Sequence, residues 1–200
     1  MKTALVVIDV QESFRQMPSW EAISDPGIVT AVSRLVEVAR SRGDMVVWVL
    51  HAERGSGGVF DPALGYVGLM AGLTVAPGEQ VITKSAHNAF TTTNLQQLLT
   101  MQGVGHLVVC GMRTEQCCET TARVAADLGY EVTFVIDATA TSPIEHRDAP
   151  RGRPLAEILA DPLTLSTADV RARTEYALAG RFAAIRTVAE LDAAPAALGA

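Results

Sequence analysis

HLVVCGMRTEQCCETTARVAADLGYEVTFVID (106–137) contains a complete strand–helix–strand unit. Its first segment, HLVVCG (106–111), and its last, VTFVID (132–137), are apolar and do not alternate with polar residues, which predicts strands covered on both faces. Between them, EQCCETTARVAADLG (115–129) has the pattern of a helix that ends at a glycine. Strands joined through a helix run parallel, so this unit predicts a parallel sheet with helices packed on it.

The same pattern repeats along the rest of the chain. Two further apolar runs, ALVVID (4–9) and MVVWVL (45–50), predict buried strands, and VITK (81–84) and FAAIRTV (182–188) are weaker candidates. Helical patterns are present in 27–43, 93–103 and 166–178. We therefore predict an α/β fold: a three-layer αβα sandwich with a mainly parallel sheet of roughly six strands. No linker divides the chain, so a single domain over residues 1–200 is expected.

Composition excludes several classes of protein. The chain has 200 residues, is 48% hydrophobic and carries a formal net charge of −6 without a block of Lys or Arg, which argues against nucleic-acid and anionic-membrane partners. The apolar run near the N-terminus is interrupted at Asp9, so it resembles a buried strand more than a signal peptide. No run approaches the length of a membrane span. Three cysteines are an odd number for a disulfide framework and favour the reducing cytoplasm.

Several reactive side chains follow the predicted strands. In open parallel sheets ligands bind beyond the carboxyl ends of the strands. An Asp at a strand end is also a common turn residue, and a Lys there commonly faces solvent. Cys110 lies inside an apolar strand, which indicates a packed thiol. The candidates at this edge are Asp9, His51, Lys84, the segment 111–118 and Asp137.

Asp9, Lys84 and a cysteine of the Cys117–Cys118 pair form a chemically coherent set. The pair lies in the first turn of a predicted helix, where the dipole favours a thiolate, and a Lys ammonium would favour it further. A carboxylate could take the thiol proton and return it to a leaving amine. Free backbone N–H groups at the helix start could hold an oxyanion. Acyl transfer through a thioester follows, although the pattern alone leaves a structural role for both cysteines open.

Three segments carry a family resemblance. ALVVIDVQESF (4–14), KSAHNAFTTTNL (84–95) and GMRTEQCCETTARVAADLGYEVTFVIDA (111–138) resemble, in order and spacing, the isochorismatase-like cysteine hydrolases. This superfamily includes nicotinamidases and N-carbamoylsarcosine amidohydrolases. The match runs from residue 4 to about residue 140, and it implies the family's Rossmann-like α/β fold.

The resemblance assigns roles to residues of the candidate set. Cys117, three residues after Thr114, corresponds to the nucleophile, and Asp9 to the general base and acid. Lys84 corresponds to the cation that stabilises the thiolate and the transition state. Cys118 falls where the family commonly has Val, which implies a packing role.

The resemblance also implies the geometry of the turn. The backbone N–H groups of Arg113 and Cys117 would form the oxyanion hole. The peptide bond between Met112 and Arg113 would be cis.

Departures from the family pattern bear on the ligand. Nicotinamidases place an Asp and several His after the second strand to bind a metal, whereas LHAERGSGG (50–58) has one His and one Glu. We therefore predict no metal and no cofactor. His51 is then either a polar group of the pocket or a satisfied loop residue. Arg113, where the family has a small residue, either holds a substrate carboxylate or pairs with Glu115 or Glu119.

The remaining substrate-binding candidates are Gln11, Phe14 and Trp20. For Phe14 and Trp20, packing of an irregular loop or a subunit contact is an equal alternative. The long segments 51–80 and 138–165 are predicted to be irregular and to serve as lids or interface pieces.

The expected function is that of a metal-independent hydrolase of a small amide, ureido or related substrate, acting through a Cys117 acyl-enzyme. The alternatives are vinyl-ether hydrolysis of the isochorismatase type, and a non-catalytic or redox-sensing thiol protein on the same fold. A small-molecule substrate and a homodimer or higher homo-oligomer are expected, because pocket walls in this superfamily often come from a neighbouring subunit.

Overall fold

A computed structural model describes residues 1–194 of the chain. Its centre is a six-stranded sheet in the order β3-β2-β1-β4-β5-β6, and every neighbouring pair is parallel. This confirms the predicted parallel α/β sheet. The strands are β1 (Lys2–Ile8), β2 (Met45–His51), β3 (Gln80–Lys84), β4 (Val104–Met112), β5 (Glu131–Ala140) and β6 (Ala184–Arg186).

Helices cover both faces of the sheet. They are α1 (Ile28–Arg42), α2 (Leu95–Gln102), α3 (Glu119–Asp127), α4 (Leu155–Ala160), α5 (Thr167–Leu178) and α6 (Val188–Ala193). Successive residues of β1 point to opposite faces: Val6 and Ile8 pack with α2 and α3, whereas Leu5 and Val7 pack with α1. Both faces of β1 are therefore buried, which explains why its sequence does not alternate with polar residues.

The predicted boundaries need three corrections. The helix predicted at 115–129 is a wide π-type turn, Thr114–Cys118, followed by α3. The strand predicted at 182–188 is shorter, because Thr187 and Glu190 form a capping box that begins α6. The segment 138–165 is not irregular throughout, since β5 continues to Ala140 and α4 lies within it.

Two strands of the core, β1 and β4, approach each other closely where both end. Gly111 has φ +122°, and a Cβ built on it would lie 1.9 Å from the carbonyl oxygen of Ile8. Only a glycine permits this approach. In the described part of the chain, no helix is long and apolar enough to cross a membrane.

Candidate active site

The carboxyl ends of three strands bring the predicted acid, cation and nucleophile together. Asp9 directly follows β1 in the left-handed region (φ +53°), which Asp tolerates better than most residues. Lys84 is the last residue of β3 and is in register with His51, the last residue of β2. Cys117 lies in the turn after β4. Parallel pairing thus places side chains far apart in sequence at one edge of the sheet.

The Lys84 ammonium lies at the centre of the cluster. Its Nζ is 2.8 Å from Asp9 Oδ2, 3.2 Å from Cys117 Sγ and 3.2 Å from His51 Nδ1. The side chains of Asp9 and Lys84 are wholly buried, and Cys117 is 7% exposed. The acid, the cation and the thiol therefore form one contact group in a site with little access to bulk solvent.

Burial dominates the electrostatics of this group. It raises the pKa of Asp9 above its ordinary value, and the Lys84 charge opposes that shift. Burial also raises the pKa of the Cys117 thiol to about 12; the Asp9 charge adds to this effect and Lys84 opposes it. Desolvation therefore favours the protonated thiol in the resting site. It thus opposes the helix start and the ammonium, which were expected to favour the thiolate of Cys117.

The other two thiols belong to the core. Cys118 is fully buried in the apolar layer under α2 and α3, and Cys110 is fully buried on the opposite face of the sheet. All three cysteines are free. Burial raises the pKa of Cys110 to about 12 and that of Cys118 well above its ordinary value. Of the two adjacent cysteines, only Cys117 contacts the acid and the cation.

The turn that carries Cys117 is fixed to the end of β5. The Met112–Arg113 peptide bond is cis, and the carbonyl of Arg113 accepts hydrogen bonds from the N–H groups of Gln116 and Cys118. Thr114 donates its buried hydroxyl to Thr139 Oγ1 at 2.9 Å. These contacts orient the backbone around Cys117. The assignment of the Arg113 and Cys117 N–H groups to an oxyanion hole stays a prediction.

Arg113 forms an ion pair with Glu115, one of the alternatives that the sequence left open. Its Nη2 lies 2.8 Å from Glu115 Oε1, and their side chains are 18% and 9% exposed. Thr141 donates its hydroxyl to Glu115 Oε2 at 2.6 Å. The guanidinium charge is therefore already balanced within the chain, which weakens the hypothesis that it holds a substrate carboxylate.

Gln11 and His51 form one unit beside the cluster. Gln11 is fully buried; its Oε1 accepts from His51 N at 2.7 Å, and its Nε2 donates to His51 O at 3.1 Å. The His51 ring meets Phe60 edge-on at 5.5 Å between centroids, and Phe60 meets Phe14 at 5.0 Å. These contacts make Gln11 a support for the end of β2, and they do not favour the substrate contact expected of it.

Trp20 and Asp137 have partners outside the group of Asp9, Lys84 and Cys117. Trp20 is partly buried, packs against the apolar layer of α1, and has the guanidinium of Arg15 5.7 Å from its ring centroid. Asp137, which was predicted to end a strand, lies within β5, and its Oδ1 accepts the N–H of Val188 at the start of α6. Sequence reasoning missed Phe60, because the Gly-rich segment 51–80 has no periodicity that would indicate which side chains turn inward.

The donors around His51 do not fit a metal centre. Its Nδ1 faces Lys84 Nζ, and its Nε2 faces Glu53 Oε1 at 3.3 Å, so both ring nitrogens already have partners. Within residues 1–194, no three His, Cys, Asp or Glu side chains are grouped in a way that could hold a metal ion.

Comparisons with known proteins agree with this fold. The isochorismatase domain model matches residues 3–152. The isochorismatase family protein YrdC of Bacillus subtilis is 27% identical over 139 residues, which cover 70% of this chain and 74% of YrdC. A streptothricin hydrolase of Streptomyces noursei is 39% identical over 144 residues, 70% of this chain and 55% of that protein.

A solved structure extends the likeness over nearly the whole chain. The cysteine hydrolase of Pseudomonas syringae pv. phaseolicola superimposes with a TM-score of 0.78 at 25% identity, covering 96% of this chain and 91% of that one. Together with the domain match, this likeness means that the chain belongs to the isochorismatase family of hydrolases.

Proposed function

We propose that this chain hydrolyses the C–N bond of a small amide or ureido substrate without a metal, through an acyl-enzyme on Cys117. The observation that carries the proposal is the contact group of Asp9, Lys84 and Cys117, with Nζ–Oδ2 and Nζ–Sγ distances of 2.8 and 3.2 Å. A carboxylate and a thiol that both contact one ammonium supply the base, the nucleophile and the cation that thiol-based acyl transfer needs.

The first half of the reaction begins with proton transfer from the Cys117 thiol to the Asp9 carboxylate. The net charge of the group does not change, because the negative charge moves from oxygen to sulfur and stays beside Lys84. The thiolate attacks the carbonyl carbon, and the N–H groups of Arg113 and Cys117 hold the oxyanion. The C–N bond then breaks, and Asp9 gives its proton to the leaving ammonia or amine.

The second half reverses these roles. Asp9, again a carboxylate, takes a proton from water, and the resulting hydroxide attacks the thioester. The C–S bond breaks, the sulfur recovers the proton from Asp9, and the product acid loses its own proton to solvent. In each half-reaction, Asp9 thus accepts one proton and then gives it up.

The raised pKa of Cys117 separates this proposal from a redox-sensing role. Cysteines that sense oxidants are exposed and have a low pKa, whereas Cys117 is largely buried with a pKa of about 12. A thiol that ionises only when a neighbouring base accepts its proton suits a reaction that starts when substrate is bound.

The test is a hydrolysis screen of small amides, ureido compounds, streptothricin and a vinyl ether, with the wild type and two matched variants. Cys117→Ala is expected to lower C–N hydrolysis by at least about a thousandfold. Cys118→Ala removes the neighbouring thiol from the core, and its rate of C–N hydrolysis should stay within about threefold of the wild-type rate.

Acid-quenched reactions should also contain the acyl group on the peptide that carries Cys117. C–N hydrolysis that survives in Cys117→Ala would overturn the proposal. So would a wild type that consumes only the vinyl ether.

A further inference from the structure

The buried Lys84 ammonium has three polar neighbours, as many as it has N–H bonds. An ammonium donates three hydrogen bonds and accepts none. Two of its partners, Asp9 Oδ2 and Cys117 Sγ, belong to the proposed chemistry, and the third is His51 Nδ1 at 3.2 Å. The Lys84 side chain is wholly buried, so bulk solvent does not reach the ammonium. The third acceptor is therefore part of what holds the ammonium in place.

This contact assigns the tautomer of His51. Nδ1 must present a lone pair to the ammonium, so the ring proton of the neutral imidazole is on Nε2. Nε2 lies 3.3 Å from Glu53 Oε1, an acceptor that suits a proton there. An imidazolium would place a second positive charge 3.2 Å from Lys84. The arrangement fits only the neutral ring with its proton directed at Glu53.

The surroundings hold the ring in this orientation. Gln11 hydrogen-bonds both the N–H and the carbonyl of His51, which fixes the end of β2 against the end of β1. Phe60 packs edge-on against the ring, and the N–H of Glu53 donates to the carbonyl of Phe60 at 2.8 Å. The His51 side chain is 13% exposed. A ring supported on three sides has little freedom to turn its other nitrogen toward Lys84.

We infer that His51 is a positioning residue: held by Glu53 as the neutral Nε2–H tautomer, it accepts the third hydrogen bond of Lys84 and fixes the ammonium between Asp9 and Cys117. The inference rests on the proposed function for its catalytic meaning. No proton passes through His51 in this role. Without the acceptor, one buried N–H of the ammonium lacks a partner, and Lys84 turns away from Cys117 Sγ to find one.

Two amide variants of His51 distinguish the roles of its two ring nitrogens. Asn places an amide oxygen near the position of Nδ1, whereas the longer Gln reaches toward that of Nε2. In His51→Asn, iodoacetamide should therefore alkylate Cys117 at a rate within about threefold of that of the wild type. In His51→Gln the rate of alkylation should be at least about tenfold lower, because a hydrogen bond to a charged group is lost. His146→Gln is the control, because His146 faces Asp148, an acidic residue two positions along the chain as Glu53 is from His51, but lies at the surface. Equal rates in the Asn and Gln variants would overturn the inference.

A second measurement uses the wild-type chain and needs no known substrate. The ¹⁵N chemical shifts of its imidazole nitrogens distinguish a protonated nitrogen from an unprotonated one. The His51 signals are assigned by their absence from the spectrum of His51→Asn or, if that variant does not fold, by their coupling to the Lys84 ammonium. Protonated Nε2 and unprotonated Nδ1 at neutral pH are expected. The opposite tautomer would sink the inference even if hydrolysis is found. Conversely, if no substrate is hydrolysed but both results are as expected, the proposed function fails and the role of His51 stands.

Discussion

Asp9 combines a strained backbone with a buried carboxylate. It has φ +53° immediately after β1, and its side chain has no exposure to solvent. Burial raises its pKa and the Lys84 charge lowers it, so the two effects oppose each other. A carboxyl group balanced in this way can both take and return a proton, which is what the proposed reaction asks of it. Its charge also disfavours the thiolate of Cys117.

Asp9→Asn should lower both hydrolysis and the reactivity of the Cys117 thiol. Hydrolysis should fall by roughly 10²–10⁴-fold, because the amide cannot carry the proton. Alkylation of Cys117 by iodoacetamide should also be slower than in the wild type, because the thiol loses the base that accepts its proton. Ammonia release and mass spectrometry of the labelled peptide measure the two rates. Asp137→Asn, which alters the cap of α6, is the control and should change neither rate; alkylation as fast in Asp9→Asn as in the wild type would contradict the role of Asp9 as the base.

Arg113 shows how a neighbouring charge changes the meaning of a residue. Because Glu115 already balances the charge of Arg113, Arg113→Ala should change kcat/KM for carboxylated and for uncharged amides by the same factor, to within about threefold. Glu115→Gln should free the guanidinium and raise the relative rate on carboxylated amides by about tenfold. The ratio of kcat/KM values for a matched pair of amides measures both effects. A selective loss of the carboxylated substrate in Arg113→Ala would instead support the carboxylate clamp.

At the scale of elements, the β1–β4 pair holds the site together. Asp9 follows one strand and the turn of Cys117 follows the other. The two strands pair in register from Thr3 opposite His106 to Ile8 opposite Gly111. Their ends approach so closely that no side chain fits at Gly111, where φ is also outside the range that other residues favour. The distance between the acid and the nucleophile therefore depends on a glycine that takes no part in the chemistry.

Gly111→Ala should destabilise the fold by at least about 3 kcal/mol, because the new Cβ meets the rigid carbonyl of Ile8. Gly105→Ala is the matched control on the same strand: its Cβ meets only the flexible side chain of Met1, so a cost below about 1 kcal/mol is expected. Urea unfolding measures both. Similar costs for the two substitutions would show that the approach at Gly111 can relax.

At the scale of the whole molecule, the three free thiols lie in the two apolar layers that sandwich the sheet. Burial raises the pKa of each thiol in the folded chain, to about 12 for Cys110. An unfolded cysteine ionises near its ordinary value of 9.0. Above that pH the unfolded chain loses thiol protons that the folded chain keeps, so the free energy of unfolding falls as the pH rises from 9 toward 12.

Each buried cysteine should contribute about 1.4 kcal/mol to the loss of stability by pH 10. Cys110→Ala removes one such group far from the chemistry. The variant should be less stable at neutral pH because of the cavity, but it should lose less stability than the wild type between pH 8 and 10. Urea unfolding under reducing conditions at both pH values isolates the difference, since the other titrating groups are common to both proteins. Identical slopes would mean that the folded Cys110 ionises at its ordinary pKa.

Local pattern was sufficient for much of the architecture. Four strands, β1, β2, β4 and β5, could be predicted because residues covered on both faces form apolar runs, and their parallel direction follows from the helices between them. The edge of the sheet that holds the candidate site followed from strand direction alone. Boundaries were predicted less well: the wide turn at Thr114–Cys118 and the extension of β5 to Ala140 depend on long-range contacts such as that between Thr114 and Thr139.

The sequence by itself determined the class of fold, the family and the three residues of the candidate chemistry, because these depend on short motifs and on their order along the chain. The tertiary structure decided that Cys117 is shielded from solvent, that Arg113 pairs with Glu115, and that His51 faces Lys84. The physical reason is that desolvation and hydrogen bonding depend on what surrounds a group in space. Those surroundings come from strands and loops that no local pattern brings together.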